Sequence, residues 1–173
     1  MQQPFLPNGN LTPGIHIYKM EEFEQQFVNE FPNSIRGPMI YDFFKNWIKL
    51  LLYVLPPRYV WLDGSYLTKK MEPNDIDLVV FYYPEDIINE QQADAIDQLV
   101  HRISRSYACD AYICFSFEHW SKEQLGALQN QDHKIMQTYW MGQFGFDQLR
   151  NPKGIVQLNQ TDLFSIVELS LRK

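Results

Sequence analysis

The sequence predicts an α/β fold in which helices flank one mixed β-sheet. Segments with apolar residues at helical spacing alternate with short runs rich in β-branched and aromatic residues, in the order α-α-β-α-β-α-β-α-β. Hydrophobic residues make up 45% of the 173 positions and aromatic residues 15%, which is enough for a buried core and excludes general disorder. A chain of this length suits a single domain.

The first twenty residues contain three prolines, an Asn-Gly pair and a Pro-Gly pair, all of which favour turns and interrupt regular structure. We therefore expect an extended N-terminal segment over residues 1–20, followed by one domain over residues 21–173. Apolar residues at helical spacing predict a short helix over 21–31, and a long one that begins near Pro38 and ends before Pro56.

The rest of the domain is predicted to alternate strands with helices. Runs of β-forming residues predict four strands, over 58–63, 75–83, 109–117 and 155–158. Amphipathic stretches between them predict helices over 91–106 and 121–140. After Thr161 the pattern leaves strand and helix open.

Composition limits the function classes. The formal net charge is −6 and the pI about 5.1, whereas proteins that coat nucleic acid are usually basic, so extended nucleic-acid binding is not expected. Charged residues interrupt the most apolar stretch, 39–55, so we expect no membrane span. Cys109 and Cys114 are placed on opposite faces of a strand by their spacing, which suits two packed thiols in a reducing, cytoplasmic compartment.

The chemically informative stretch runs from Gly64-Ser65 to Asp75-Ile76-Asp77. Residues two apart on a strand project to the same face, so Asp75 and Asp77 would lie side by side where the second strand begins. Adjacent carboxylates repel each other unless a cation neutralises them, and oxygen ligands favour Mg²⁺ or Mn²⁺. The Gly-Ser turn offers backbone amides to an anion. Together these features indicate phosphoryl or nucleotidyl transfer.

Further charged residues complete the predicted site. Asp110 opens the third strand and would lie level with Asp75 and Asp77, while Glu118, at the far end of that strand, is the alternative third carboxylate. Lys69 and Lys70 would attract a triphosphate or an acidic acceptor, unless they are solvated surface charges. Asp63 would either cap the turn or add charge near a metal.

Several aromatic residues could stack on a base, although core packing is the commoner role of such residues. They are Tyr82, Tyr83, Trp120, Tyr139 and Trp140.

This region resembles the signature of the DNA polymerase β-like nucleotidyltransferase superfamily, in which a strand, Gly-Ser, a helical turn and Asp-x-Asp on the next strand recur. Three stretches also resemble an uncharacterised bacterial nucleotidyltransferase-like family of unknown function; they are 11–16, 61–65 with 72–77, and 151–156. The resemblance implies a βαβαβ palm flanked by helices and two divalent metals held by Asp75, Asp77 and Asp110. It also implies an NTP whose triphosphate contacts Gly64 and Ser65.

We therefore expect an enzyme that transfers an NMP from an NTP to a protein, an RNA end or a small molecule, with a protein partner as a possible source of the acceptor. The alternative is a member of the fold that binds nucleotide or protein without catalysis, as an antitoxin or regulatory subunit in a bacterial toxin–antitoxin or defence system. A nuclease or phosphatase using the same carboxylates fits the Gly-Ser spacing less well. The position of Asp110 distinguishes the two: catalysis requires Asp110 to lie near Asp75 and Asp77, whereas a distant Asp110 favours binding alone.

Overall fold

The computed structural model describes residues 3–127 and 132–171 and contains one five-stranded mixed sheet. The strands are β1 (Gly14–Tyr18), β2 (Tyr59–Asp63), β3 (Ile76–Tyr82), β4 (Cys109–Phe115) and β5 (Gly154–Asn159). Their order across the sheet is β1-β5-β2-β3-β4. The two outer pairs, β1 with β5 and β3 with β4, are parallel, and β2 runs antiparallel to both of its neighbours. The predicted α/β fold with a mixed sheet is confirmed.

Helices connect the strands at the expected places. They are α1 (Met20–Glu24), α2 (Arg36–Val54), α3 (Glu90–Gln98), α4 (Lys122–Ala127), α5 (Asp132–Phe144) and α6 (Gln160–Leu171). Single π-helical turns extend α1 to Asn29 and α3 to Ile103. The segment after Thr161, which the sequence left open, is helical. No described helix combines the length and the apolar character needed to cross a membrane.

Within the segment predicted as a helix over 121–140, the structure describes two helical stretches, α4 and α5, and the second runs on to Phe144. Residues 128–131, which join them in sequence, lie outside the described residues. α4 has no buried residue, whereas Trp140 and Phe144 of α5 pack against the sheet. The two helices therefore differ in their contact with the core.

The N-terminal segment contributes a strand that the sequence analysis did not predict. β1 pairs in parallel with β5, with Gly14 opposite Gly154. Leu11 and Tyr18 of this segment are buried in the main core. A Cβ atom at Gly154 would lie 2.3 Å from the carbonyl oxygen of Thr12, so the close approach of the two chains requires glycine there.

The two faces of the sheet are covered differently. One, which we call the closed face, packs against α1, α2, α3 and α6 and holds the larger core cluster, with Phe44 and Trp47 fully buried. The other, which we call the open face, carries a smaller cluster, to which α5 supplies Trp140 and Phe144. Cys109 belongs to the first cluster and Cys114 to the second, so the two buried thiols lie on opposite faces as predicted.

Candidate functional site

Three aspartates form a row across the open face where β2 ends and where β3 and β4 begin. Asp63 of β2 is in register with Asp77 of β3, and Asp77 is in register with Asp110 of β4. Residues opposite each other on neighbouring strands project to the same face, and like charges in such positions destabilise a sheet. Repulsion among these carboxylates therefore lowers the stability of the sheet, and other interactions in the fold must offset it.

Asp75 and Asp77 line one cleft of about 700 Å³ beside this row. Asp75 lies one residue before β3, so it shares the face of Asp77. Burial, followed by the charges of Asp75 and Asp110, raises the pKa of Asp77 to about 6. A carboxylate whose ionised form is opposed in this way is stabilised by a bound cation.

Asp63 is the most buried member of the row, with 4% of its surface exposed. Its Oδ2 accepts a hydrogen bond from Lys153 Nζ at 2.7 Å, and the Lys153 side chain is itself 12% exposed. Its Oδ1 is buried and has no hydrogen-bond partner among the described residues. Burial raises the pKa of Asp63 to about 6 even though the Lys153 ammonium opposes that shift.

Gly64 turns the chain directly over Asp77. Its φ is +87°, and a Cβ atom at this position would lie 2.0 Å from Asp77 Oδ2. Glycine is therefore required both by the backbone conformation and by the carboxylate beneath it. Ser65 opens a single 3-10 turn and lines the same cleft.

Asp110 shares the face of Asp77, as the sequence predicted, but its side chain turns toward a neighbour on its own strand. The Tyr112 hydroxyl donates to Asp110 Oδ2 at 3.0 Å. Asp110 lines a second cavity of about 270 Å³ together with Asp75 and Arg105, so Asp75 alone of the four aspartates borders both cavities.

Glu118, the alternative third carboxylate, lies at the opposite end of the sheet. Its Oε1 accepts from the Tyr59 hydroxyl at 3.1 Å and from Gln137 Nε2 at 3.3 Å. Because Tyr59 begins the strand that Asp63 ends, Glu118 is remote from the row. The geometry favours Asp110 over Glu118.

Lys69 and Lys70, which the sequence analysis considered together, lie in different surroundings. Lys70 lines the cleft, whereas the Lys69 ammonium lies 5.9 Å from the centre of the Phe5 ring. The backbone amide of Lys69 donates to the Gly9 carbonyl, which ties this turn to the N-terminal segment. Lys153 is the cation that the sequence analysis missed; its only signal was its place in the stretch 151–156, which was noted for resemblance alone.

The carboxylates suit a hard divalent cation but do not form a complete cage. Within residues 3–127 and 132–171, no three His, Cys, Asp or Glu side chains are grouped so that they could hold a metal ion. Asp75 and Asp77 share the cleft, whereas the Oδ1 of Asp63 is buried and its Oδ2 is bonded to Lys153. The Asp75 and Asp77 carboxylates fit Mg²⁺ or Mn²⁺ if a ligand such as a phosphate or water completes the coordination.

A comparison with protein-family models matches residues 3–159 to the family of unknown function DUF6932. The chain belongs to the DUF6932 family. The match spans all five strands and every site residue described above, from Asp63 to Lys153. No curated protein and no solved structure matches the chain.

The open face of this DUF6932 protein therefore combines three chemical elements in one cleft. The first is a carboxylate pair, Asp75 and Asp77. The second is the Gly64-Ser65 turn. The third is a lining of aromatic and apolar side chains supplied by α5 and by the loop that follows it; these residues are Tyr139, Trp140, Phe144, Phe146 and Leu149.

Proposed function

We propose that this DUF6932 protein is a metal-dependent nucleotidyltransferase that transfers an NMP from an NTP to an acceptor. The observation that supports the proposal most strongly is the contact between the Gly64 turn and Asp77, within the cleft that Asp75 and Ser65 also line. A phosphate-binding turn directly beside a carboxylate pair brings a triphosphate and its cation to one place. The volume of about 700 Å³ lies within the usual range of ligand sites, about 300–1,000 Å³.

In this proposal Asp75 and Asp77 hold Mg²⁺ or Mn²⁺. When bound there, such a cation would supply positive charge that offsets the phosphates, while the acceptor hydroxyl would attack the α-phosphorus and pyrophosphate would leave. Ser65 and the turn amides donate to phosphate oxygens, and Lys70 adds an ammonium at the cleft. Lys153 pairs with the buried Asp63, so that the charge on Asp63 is balanced within the protein itself.

Asp110 is the residue proposed to accept the proton of the acceptor hydroxyl. Its carboxylate is bonded to the Tyr112 hydroxyl, so it must give up that bond, or share it, to reach an acceptor in the main cleft. A substrate that binds beside Asp75, between the two cavities, would meet Asp110 at this point. The proposal leaves the acceptor as a protein side chain, an RNA end or a small molecule.

Label transfer tests the reaction. The protein is incubated with each NTP labelled at the α-phosphate or, in a parallel series, at the γ-phosphate, with Mg²⁺ or Mn²⁺ and cell extract. We expect α-label and not γ-label to enter a macromolecule or a new small molecule, and Asp77→Asn to abolish the transfer. Transfer of the γ-label would indicate a kinase instead, and no transfer of either label would contradict the proposal.

The two lysines provide a matched pair of variants. Lys70→Ala should weaken NTP binding, and the effect should fade as salt rises because it is electrostatic. Lys69→Ala changes the same side chain one position away, outside the cleft lining, and should bind like the parent. Titration of a fluorescent NTP analogue at two ionic strengths distinguishes them, and equal losses would argue against the assigned phosphate position.

The bond between Tyr112 and Asp110 favours a second candidate function, nucleotide binding without transfer. If that bond persists with ligand bound, the main cleft holds only Asp75, Asp77 and the buried Asp63. The protein would then act through a partner, as an antitoxin or regulatory subunit does. Tight NTP binding together with no label transfer, and with no loss of binding in Asp110→Asn, would support this alternative.

A further inference from the structure

We propose that the cleft binds the base of its nucleotide by stacking against an apolar wall formed by Tyr139, Phe146 and Leu149. This inference rests on the proposed function and extends it, because it makes a nucleoside triphosphate, rather than a base-free polyphosphate, the ligand of the cleft. All three side chains line the cleft that also contains Asp75, Asp77 and the Gly64-Ser65 turn.

The side chains of the apolar wall are large and apolar, yet about half or more of the surface of each is exposed. Tyr139 is 49% exposed, Phe146 49% and Leu149 83%. Large apolar side chains grouped in a cleft, beside a few convergent polar groups, are typical of a small-molecule site. In this cleft the polar groups suit the charged end of a nucleotide, and the apolar wall suits a planar ring.

The loop that carries Phe146 and Leu149 is held in a fixed conformation by Asp147. The carboxylate of Asp147 accepts from the backbone amides of Leu149 at 2.9 Å and Asn151 at 2.8 Å, and from the Asn10 side chain at 2.9 Å. The Asn151 side-chain amide, which donates to Asp147 Oδ2 at 3.0 Å, lowers the pKa of Asp147 most, and together with these bonds brings it to about 2, so the loop keeps them across the physiological range. A wall that is ordered before the ligand arrives loses little entropy on binding.

Tyr139 is held by the packing of its own helix. The adjacent Trp140 is 8% exposed and packs against Tyr112, with ring centres 4.6 Å apart, and against Phe144, at 5.5 Å. Tyr139 makes an edge contact with Trp140, at 5.2 Å, and keeps half of its surface accessible. The helix therefore fixes the position of Tyr139 while leaving its ring available to a ligand.

Exposure and position distinguish Tyr139 from the other aromatic residues considered for base stacking; among these others, Trp140 lines the cleft, but only 8% of its surface is exposed. Tyr82 is fully buried in the main core, and Tyr83 packs against His119, with ring centres 3.9 Å apart, outside the cleft lining. Trp120 packs against Phe117 and also lies outside that lining. Stacking tolerates any base because every base has a π-face, so we expect weak preference among the four NTPs.

Calorimetric titration of the full chain tests the inference with two kinds of probe. The parent, Tyr139→Ala, Tyr139→Phe and Leu149→Ala are each titrated, in the presence of Mg²⁺, with non-hydrolysable NTP analogues and with inorganic tripolyphosphate. We expect the parent to bind the analogues at least about ten-fold more tightly than tripolyphosphate. Tyr139→Ala should lose most of that advantage without weakening tripolyphosphate binding, Tyr139→Phe should keep it, and Leu149→Ala should lose a smaller part.

Tyr53→Ala is the matched control, because Tyr53 is a 92% exposed tyrosine on α2, on the closed side of the sheet. It should bind both probes like the parent. Equal affinity of the parent for analogue and tripolyphosphate would overturn the base site while leaving the proposed function standing. Equal loss of both probes in Tyr139→Ala would also overturn it, since the residue would then act on the whole cleft. If the parent binds neither probe, both the proposed function and the base site are contradicted.

Discussion

The closed and open faces of the sheet are made by alternate residues of the same strands, yet they perform different tasks. Along β3, Leu78 and Val80 enter the larger core, while Val79 and Phe81 face the other way, into the smaller cluster that α5 covers. Asp77 shares that second face but lies at its uncovered end, beside the cleft. Apolar packing thus dominates one side, and the other combines packing at one end with repelling carboxylates at the other.

This difference indicates that the closed face contributes most of the stability of the protein, and that the carboxylates of the open face lower it. Burial of large apolar side chains is the main favourable term in folding, whereas buried or adjacent carboxylates lower stability unless they are paired. We therefore expect substitutions on the closed face to change the free energy of unfolding, and substitutions near the cleft to change ligand binding with small or even favourable effects on stability.

The largest expected effect comes from the closed face. Phe44 is fully buried, so Phe44→Ala should lower the free energy of unfolding by about 3–5 kcal/mol through lost burial and the cavity left behind. Phe146→Ala removes the same side chain from the cleft, where it is 49% exposed, and should change stability by less than about 1 kcal/mol. Urea denaturation measures both, and similar losses would remove the distinction between the faces.

The next effect concerns the ion pair on the open face. Lys153→Met leaves the buried Asp63 without its cation, so that Asp63 takes up a proton, and should lower the free energy of unfolding by about 1–2 kcal/mol at neutral pH. The penalty should shrink as pH falls below the pKa of Asp63, because a protonated carboxyl no longer needs the cation. The double variant Asp63→Asn/Lys153→Met should recover most of the loss in urea denaturation; a double variant as unstable as the single one would show that Lys153 acts through packing.

Gly64→Ala should lower the free energy of unfolding by about 1–3 kcal/mol, because it combines an unfavourable positive φ with a clash at Asp77 Oδ2. The same change at Gly126, where a Cβ atom would meet nothing within 4 Å, should be neutral or slightly stabilising. Thermal melts with and without Mg²⁺ should also show that Gly64→Ala loses any stabilisation by the cation. If Gly64→Ala melts like Gly126→Ala, the turn is not constrained as described.

The smallest change in stability is expected for Asp77→Asn, and its sign is the informative part. The folded pKa of Asp77, about 6, lies above the unfolded value of about 3.9, so the folded state binds the proton more tightly. Stability therefore falls as pH rises from about 4 to 6, by about 1–2 kcal/mol after allowance for solvent screening. Asp77→Asn should reduce this fall and be as stable as the parent, or slightly more stable, at pH 7.5.

Denaturation of Asp77→Asn across pH 4–8, with and without Mg²⁺, measures both parts of that prediction. We expect the gain in melting temperature from Mg²⁺ to disappear. Gln157→Ala, which alters a half-buried polar side chain of β5 outside the cleft lining, serves as a control that should keep the cation response. A marked loss of stability in Asp77→Asn would mean that the carboxylate has a structural role.

Local patterns in the sequence were sufficient to predict most of the helices and strands. The element that they missed depends on contacts between residues far apart in the sequence. The apolar stripe of α2 and the β-forming runs of β2 to β5 each carry their own signal, so their types were predicted correctly. β1 has two exposed isoleucines, Ile15 and Ile17, and pairs with a strand about 140 residues away, so no local pattern reveals it.

The candidate site shows the same division. Alternation along a strand was enough to place Asp75 and Asp77 together, and the expected strand register placed Asp110 opposite Asp77. The pairing of Asp63 with Lys153 spans 90 residues and depends on β5 lying beside β2, which sequence reasoning did not provide. The hydrogen bond from Tyr112 that turns Asp110 aside depends on a side-chain rotamer, which the order of residues does not determine.

The position of β5 between β1 and β2 has a consequence for biosynthesis. β5 is translated last of the five strands but lies inside the sheet, between β1 and β2, so β1, translated first, has no strand to pair with until residues 154–159 leave the ribosome. Until then β2 presents an unpaired edge on a nascent β2-β3-β4 sheet, and unpaired strand edges promote association between chains. β5 thus joins β1 to the β2-β3-β4 sheet in a single late step and removes this edge.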